Sequence, residues 1–164
     1  MARGRDAAPV LRAEERFMGR REQREQIFRL LFRIEFNAPE EMPQQRDFFL
    51  EEIKLPTQEE GLAASHRDIT YITEKYERIQ EKLPQIDQMI DEKAQGWSVT
   101  RMGKVELTLL RLGAYEILYD QDVPGSVAIN EAVELAKRYG QDNSGAFVNA
   151  VLAKFLRPGQ GEQE

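Results

Sequence analysis

Apolar residues recur at helical spacing along most of the chain. Ile27, Leu30, Leu31 and Ile34 fall at i, i+3, i+4 and i+7, with Phe28 and Phe32 widening the stripe. This predicts a helix from about Glu15 to the break at Asn37-Ala38-Pro39. A short second helix is predicted from Pro43 through Phe48, Phe49 and Ile53, closed by Leu55-Pro56-Thr57. Ile69, Ile72, Tyr76, Ile79 and Leu83 then predict a long helix that stops near Pro84, since an interior proline lacks the N–H that the ladder needs. Ile86, Met89 and Ile90 give a further short helix to Gly96.

Ser98 suits the N-cap of the most apolar helix, roughly 99 to 119. Met102, Val105, Leu109, Leu112 and Tyr119 line one of its sides, and Leu110, Ala114 and Ile117 another, which marks it as the central helix. Two more amphipathic helices follow, one carrying Val127, Ala128, Ala132, Leu135, Ala136 and Tyr139, the other Phe147, Val148, Val151, Leu152 and Phe155. In the corner between them, Gly140 suits a left-handed position, and Asp142, Asn143 or Ser144 can cap the next helix, whose N-terminal N–H groups could receive a phosphate. No stretch shows sustained period-two alternation, so the fold class is all-α with about seven helices.

Composition narrows the chemistry. A chain of 164 residues suits one domain of ordinary size, expected over residues 14–157 with disordered tails at 1–13 and 158–164. Absence of cysteine removes disulfides, thiolate metal sites and cysteine nucleophiles together, and fits a reducing cytoplasm. No apolar run approaches the ~20 residues needed to cross a bilayer, so no membrane contact is expected. Net charge is −6, but residues 1–24 hold seven arginines against Asp6, Glu14, Glu15 and Glu22. A positive end on an acidic body points to an oriented polyanion contact, although charge alone favours the plainer alternative of a solvated tail and helix face.

Asp120, Asp122, Gly125 and Glu131 match a calcium loop only in part, because Pro124 and Ala128 occupy ligand positions and the helix is expected to begin near Ser126, with Glu131 in its second turn. His66 is the only histidine, which excludes a multi-histidine zinc site and places it on a solvated helix face. The pairs Glu40-Glu41, Glu51-Glu52 and Glu59-Glu60 flank turns where solvation explains them. Neither a P-loop nor a dinucleotide fingerprint occurs, so no cofactor, catalytic residue or metal ligand is expected. Arg20, Arg21 and Arg24 could fork onto phosphates, or pair with Glu22 and Glu25 on a plain surface. Phe147 could stack on an unpaired base, or be core. Glu106 and Arg111, charged on an apolar helix, need solvent, an internal ion pair or a protein partner.

The run Val123-Pro124, Val127 to Lys137, Tyr139-Gly140, Ser144, Phe147-Val148-Asn149 and Val151-Leu152 resembles the C-terminal pattern of the NusB family of transcription antitermination factors. Arg101-Met102 with Val105-Glu106, Leu110 to Leu118, and the arginine-rich stretch from Arg20 leading into Leu30-Leu31-Phe32 extend the resemblance over residues 20–157. The resemblance implies an N-terminal three-helix bundle packed on a C-terminal bundle. It also implies binding of boxA-type single-stranded RNA jointly with NusE, a small-subunit ribosomal protein, within an RNA polymerase antitermination complex that reads through terminators, notably on ribosomal RNA operons. Carried over, the RNA surface is Arg20, Arg21, Arg24, Asn143, Ser144 and Phe147, and Glu106, with Arg111 near it, faces NusE. The sequence departs from the pattern at Ala146, where a basic residue is common, at Ala150, where glycine is, and at Asn143, where an acid is. Alternatives are a helical adaptor or homodimer without RNA binding, and a fragment related to the accessory domain of RNA cytosine methyltransferases.

Overall fold

The computed structural model describes residues 18–55 and 63–156, so the expected tails at 1–13 and 158–164 and the Pro56-Thr57 break lie outside the described residues. Among the described residues there are six α-helices and no strand. They are α1 (Arg20–Phe32), α2 (Met42–Ile53), α3 (His66–Lys93), α4 (Lys104–Tyr119), α5 (Gly125–Tyr139) and α6 (Ser144–Ala153). The chain divides into two compact units, Met1–Tyr76 and Glu77–Glu164, with the division inside α3.

In the first unit, α1 buries Ile27, Phe28, Leu30 and Leu31, the expected stripe, while Ile34 falls in a 3₁₀ turn over Arg33–Phe36. Helix α2 opens with a proline in its first turn, where the missing N–H costs nothing, and buries Met42 and Phe49. Arg33 covers the Phe49 ring at 5.1 Å and donates to Gln45 Oε1.

A fully buried carboxylate holds the start of α1 in place. Asp68 Oδ1 and Oδ2 accept the Met18 N–H at 3.1 and 3.0 Å, and Oδ1 accepts Gln23 Nε2 at 2.9 Å. Asp68 Oδ2 also accepts the Ser65 N–H and hydroxyl, both at 3.0 Å, while the Asp68 N–H donates back to Ser65 Oγ at 3.1 Å. Ser65-x-x-Asp68 is thus a reciprocal capping box at the head of α3 that also carries α1.

Helix α3 corrects one expectation, because it runs unbroken through Pro84. Ile72, Tyr76, Ile79, Leu83, Ile86 and Ile90 keep one 4-3-4-3-4 stripe across the proline, and all but Leu83 are essentially buried. An interior proline costs about 3 kcal/mol. Burying Ile86 and Ile90 is worth about 1.5–3 kcal/mol each, and Pro84 itself points to solvent, so the helix continues.

In the second unit, α4 packs against both α5 and α6. Every residue from Leu107 to Ile117 is buried, as its all-round apolarity predicted. Gly113 lets α6 approach closely: a Cβ there would stand 2.5 Å from Leu152 Cδ1. The start of α4 differs from expectation. Ser98 heads only a 3₁₀ turn, Val99–Arg101, with the Val99 N–H donated to Asp91 Oδ1 at 2.7 Å, and α4 begins after Gly103. Helix α5 starts at Gly125, which leaves Glu131 in its second turn.

Candidate nucleic-acid interface

The site residues expected from the sequence fall in both units. In the first, Gly19 precedes α1, and the Asp68 network fixes the direction in which its arginines emerge. Arg20 is exposed; its guanidinium lies 4.5 Å from the Tyr71 ring centroid and donates to Gln23 Oε1 at 3.3 Å. The same Gln23 donates to Asp68, so Arg20 is held by a stacked ring on one side and a buried relay on the other. Arg21 is exposed as well. Arg24 differs: expected to share the Arg20 side, it is only 8% exposed. Ile27 and Phe28, three and four residues further on, continue the same buried face, so Arg24 belongs to the packed side of α1, while Arg20, one turn earlier at the helix end, stays exposed.

In the second unit, the corner between α5 and α6 meets the start of α4. Gly140 is not left-handed there; at φ −101° and ψ −156° its backbone is extended. Glycine is required for a different reason: a Cβ would stand 2.5 Å from Ser144 Oγ and 2.8 Å from the Ala136 carbonyl oxygen. Asn143 holds the N-cap position of α6 without a side-chain cap, and it is exposed. Ser144 is 1% exposed and does not cap either. Its hydroxyl accepts the Gln141 N–H at 2.8 Å and donates to the Glu106 carboxylate. Glu106, expected to face a protein partner, thus also braces the corner from the first turn of α4.

Phe147 is half-buried and meets Trp97 edge-on, with ring centroids 6.0 Å apart at 71°. Trp97, Met102, Glu106, Asn143, Ser144 and Phe147 line an open pocket of about 250 Å³. Arg111 takes the internal ion pair: Nε and Nη2 each lie 2.8 Å from the Asp87 carboxylate oxygens, a two-pronged match, and the residue is 9% exposed. Among the described residues, no group of three or more histidine, cysteine, aspartate or glutamate side chains could hold a metal, and no helix is long and apolar enough to cross a membrane. His66 sits exposed at the head of α3.

Two features were missed in the sequence. Trp97 stands outside every apolar stripe, so periodicity does not mark it, although a lone tryptophan beside a glycine is a legible signal. The Ser65-x-x-Asp68 capping signature was equally legible, but not its grip on Met18, 50 residues away.

Residues 21–157 match the NusB family across its helical span. The chain belongs to the NusB family. A relative from Agathobacter rectalis, "Transcription antitermination protein NusB", is 48% identical over 138 residues, covering 84% of this chain and 99% of its own. The solved structure of T. maritima NusB superposes with a TM-score of 0.72 at 34% identity, covering 91% of this chain and 94% of that one. A structure of the antitermination factors NusB and NusE in complex with dsRNA has a TM-score of 0.65 at 24% identity, covering 83% and 94%; that likeness is one of fold.

Proposed function

We propose that this chain is a cytoplasmic transcription antitermination factor that binds boxA-type single-stranded RNA jointly with NusE and promotes readthrough by RNA polymerase, notably on ribosomal RNA operons. The family match over residues 21–157 carries this reading, together with a curated antitermination protein at 48% identity over 99% of its length. No catalytic step is assigned.

Each unit supplies one RNA surface. Arg20 and Arg21, exposed on α1, neutralise phosphates. Arg24, only 8% exposed, belongs to the packed face of α1 rather than to the phosphate-facing surface. Asn143 offers an amide, and the half-buried ring of Phe147 offers a face to an unpaired base. Ser144 shapes that corner through its hydroxyl bonds to Gln141 and Glu106. The remaining Glu106 oxygen meets NusE, and Arg111, locked to Asp87, keeps α4 in register for that contact. Ala146 supplies no phosphate contact, which lowers the salt dependence relative to a chain with a basic residue there.

The test is transcription through a terminator placed downstream of a boxA-type leader, with NusE and the other antitermination factors present. Adding this chain should raise readthrough, and a leader with a scrambled boxA should abolish the gain. Equal readthrough with and without the chain would refute the reading.

A further inference from the structure

We propose that Trp97 is a second stacking residue for an unpaired RNA base, set at right angles to Phe147. This rests on the RNA-binding reading above and adds a second aromatic residue to it. Gly96 takes φ +86°, a left-handed turn that ends the segment after α3, and the Trp97 N–H closes it on the Ala94 carbonyl at 3.2 Å. The turn leaves the indole 52% exposed, although tryptophan is the costliest side chain to keep in water.

The indole is not packed away; its contact with Phe147 is edge-on, at 71° and 6.0 Å between centroids. Two rings in that arrangement cannot sandwich one base. A base stacked on the indole presents its own edge along the Phe147 side, and one stacked on Phe147 presents its edge along Trp97, so the corner suits successive, splayed bases. Polar groups line the same pocket: the Asn143 and Gln141 amides can bond base edges. A protein helix would need an apolar seat, and half of this lining is polar side chain.

Trp97 is the only tryptophan, so its emission reports on this position alone. A labelled boxA-type RNA is titrated with the full chain in the presence of NusE, following RNA anisotropy for binding and, without the label, Trp97 emission for stacking. Stacking predicts that emission is quenched with the same midpoint as the anisotropy rise. Trp97→Ala should weaken RNA binding roughly 5- to 150-fold, the range for one stacked base, with an unchanged salt slope and an unchanged melting curve. Trp97→Phe should recover most of the loss. RNA binding with constant Trp97 emission and undiminished affinity of Trp97→Ala overturns the stacking role and leaves the RNA-binding reading intact. Emission that shifts on adding NusE alone, with no further change on adding RNA, overturns it in favour of a protein seat. No RNA binding by the unmodified chain, with NusE present, overturns both.

Discussion

Replacing Asp68 by alanine should be among the most damaging single changes in the first unit. Its carboxylate is 0% exposed and accepts from the Met18 N–H, Gln23 Nε2, the Ser65 N–H and the Ser65 hydroxyl. Asp68→Ala leaves each of those donors without its acceptor in a site closed to solvent. A buried donor left unsatisfied costs about 1–3 kcal/mol, and hydrogen bonds to a charged group are worth about 1.5–3 kcal/mol. The simple total overshoots, since removing a buried charge also relieves its desolvation and the Ser65 hydroxyl can turn to other partners. A net loss of about 3–5 kcal/mol is expected, a large share of the 5–15 kcal/mol that typically holds a domain together. Ser65→Ala makes the control, because it removes the capping hydroxyl and keeps the carboxylate on Met18 and Gln23, so it should cost about 1 kcal/mol. Urea unfolding followed by far-UV circular dichroism measures both. A loss below about 1 kcal/mol for Asp68→Ala, or equal losses for the two variants, would refute the assignment of Asp68 as the clasp of α1.

Arg20→Ala combined with Arg21→Ala should lower RNA affinity and reduce the salt slope by up to about 0.7 per phosphate released while leaving the melting temperature nearly unchanged, and an unchanged slope would remove α1 from the site. Arg24→Ala should do the opposite, lowering stability measurably, because its stem is part of the packed face. Gly113→Ala should destabilise by about 1–3 kcal/mol despite the ~1 kcal/mol gain in helix propensity, since its methyl meets Leu152; in a Leu152→Ala background the same change should become stabilising, and purely additive effects would deny the contact. Glu106→Lys should weaken association with NusE more than binding of RNA alone and cost about 1–2 kcal/mol through the lost Ser144 bond, whereas Glu106→Gln should keep the stability; calorimetry showing parental NusE affinity for both variants would place that interface elsewhere.

The helical architecture was legible because one-dimensional periodicity determines it. Ile27, Leu30 and Leu31, the buried stretch Leu107–Ile117 of α4, Ala128, Ala132, Leu135 and Ala136 of α5, and Val148, Val151 and Leu152 of α6 follow directly from spacing, whereas Val127 and Tyr139, expected on the α5 stripe, lie at its edges and are exposed. At Pro84 the missing N–H argues for a helix end, but the phase of the stripe, which Ile79, Leu83, Ile86 and Ile90 carry across the proline without a slip, prevails. The site was less legible. The exposure of Arg20 and Arg21 and the corner position of Asn143 could be read locally. The bonds that shape the site join residues distant in sequence: Ser144 to Glu106, 38 apart, and Arg111 to Asp87, 24 apart. Whether a charged residue on an apolar helix turns to a partner or to its own chain depends on which helices meet, and no periodicity in one segment contains that.

The most direct measurement is the equilibrium binding of labelled boxA-type RNA to this chain across a range of salt, alone and with NusE. Binding should tighten when NusE is added, weaken steadily with salt, and fall when the boxA sequence is scrambled. Affinity indifferent to both NusE and sequence, or no binding in either condition, would contradict an antitermination role.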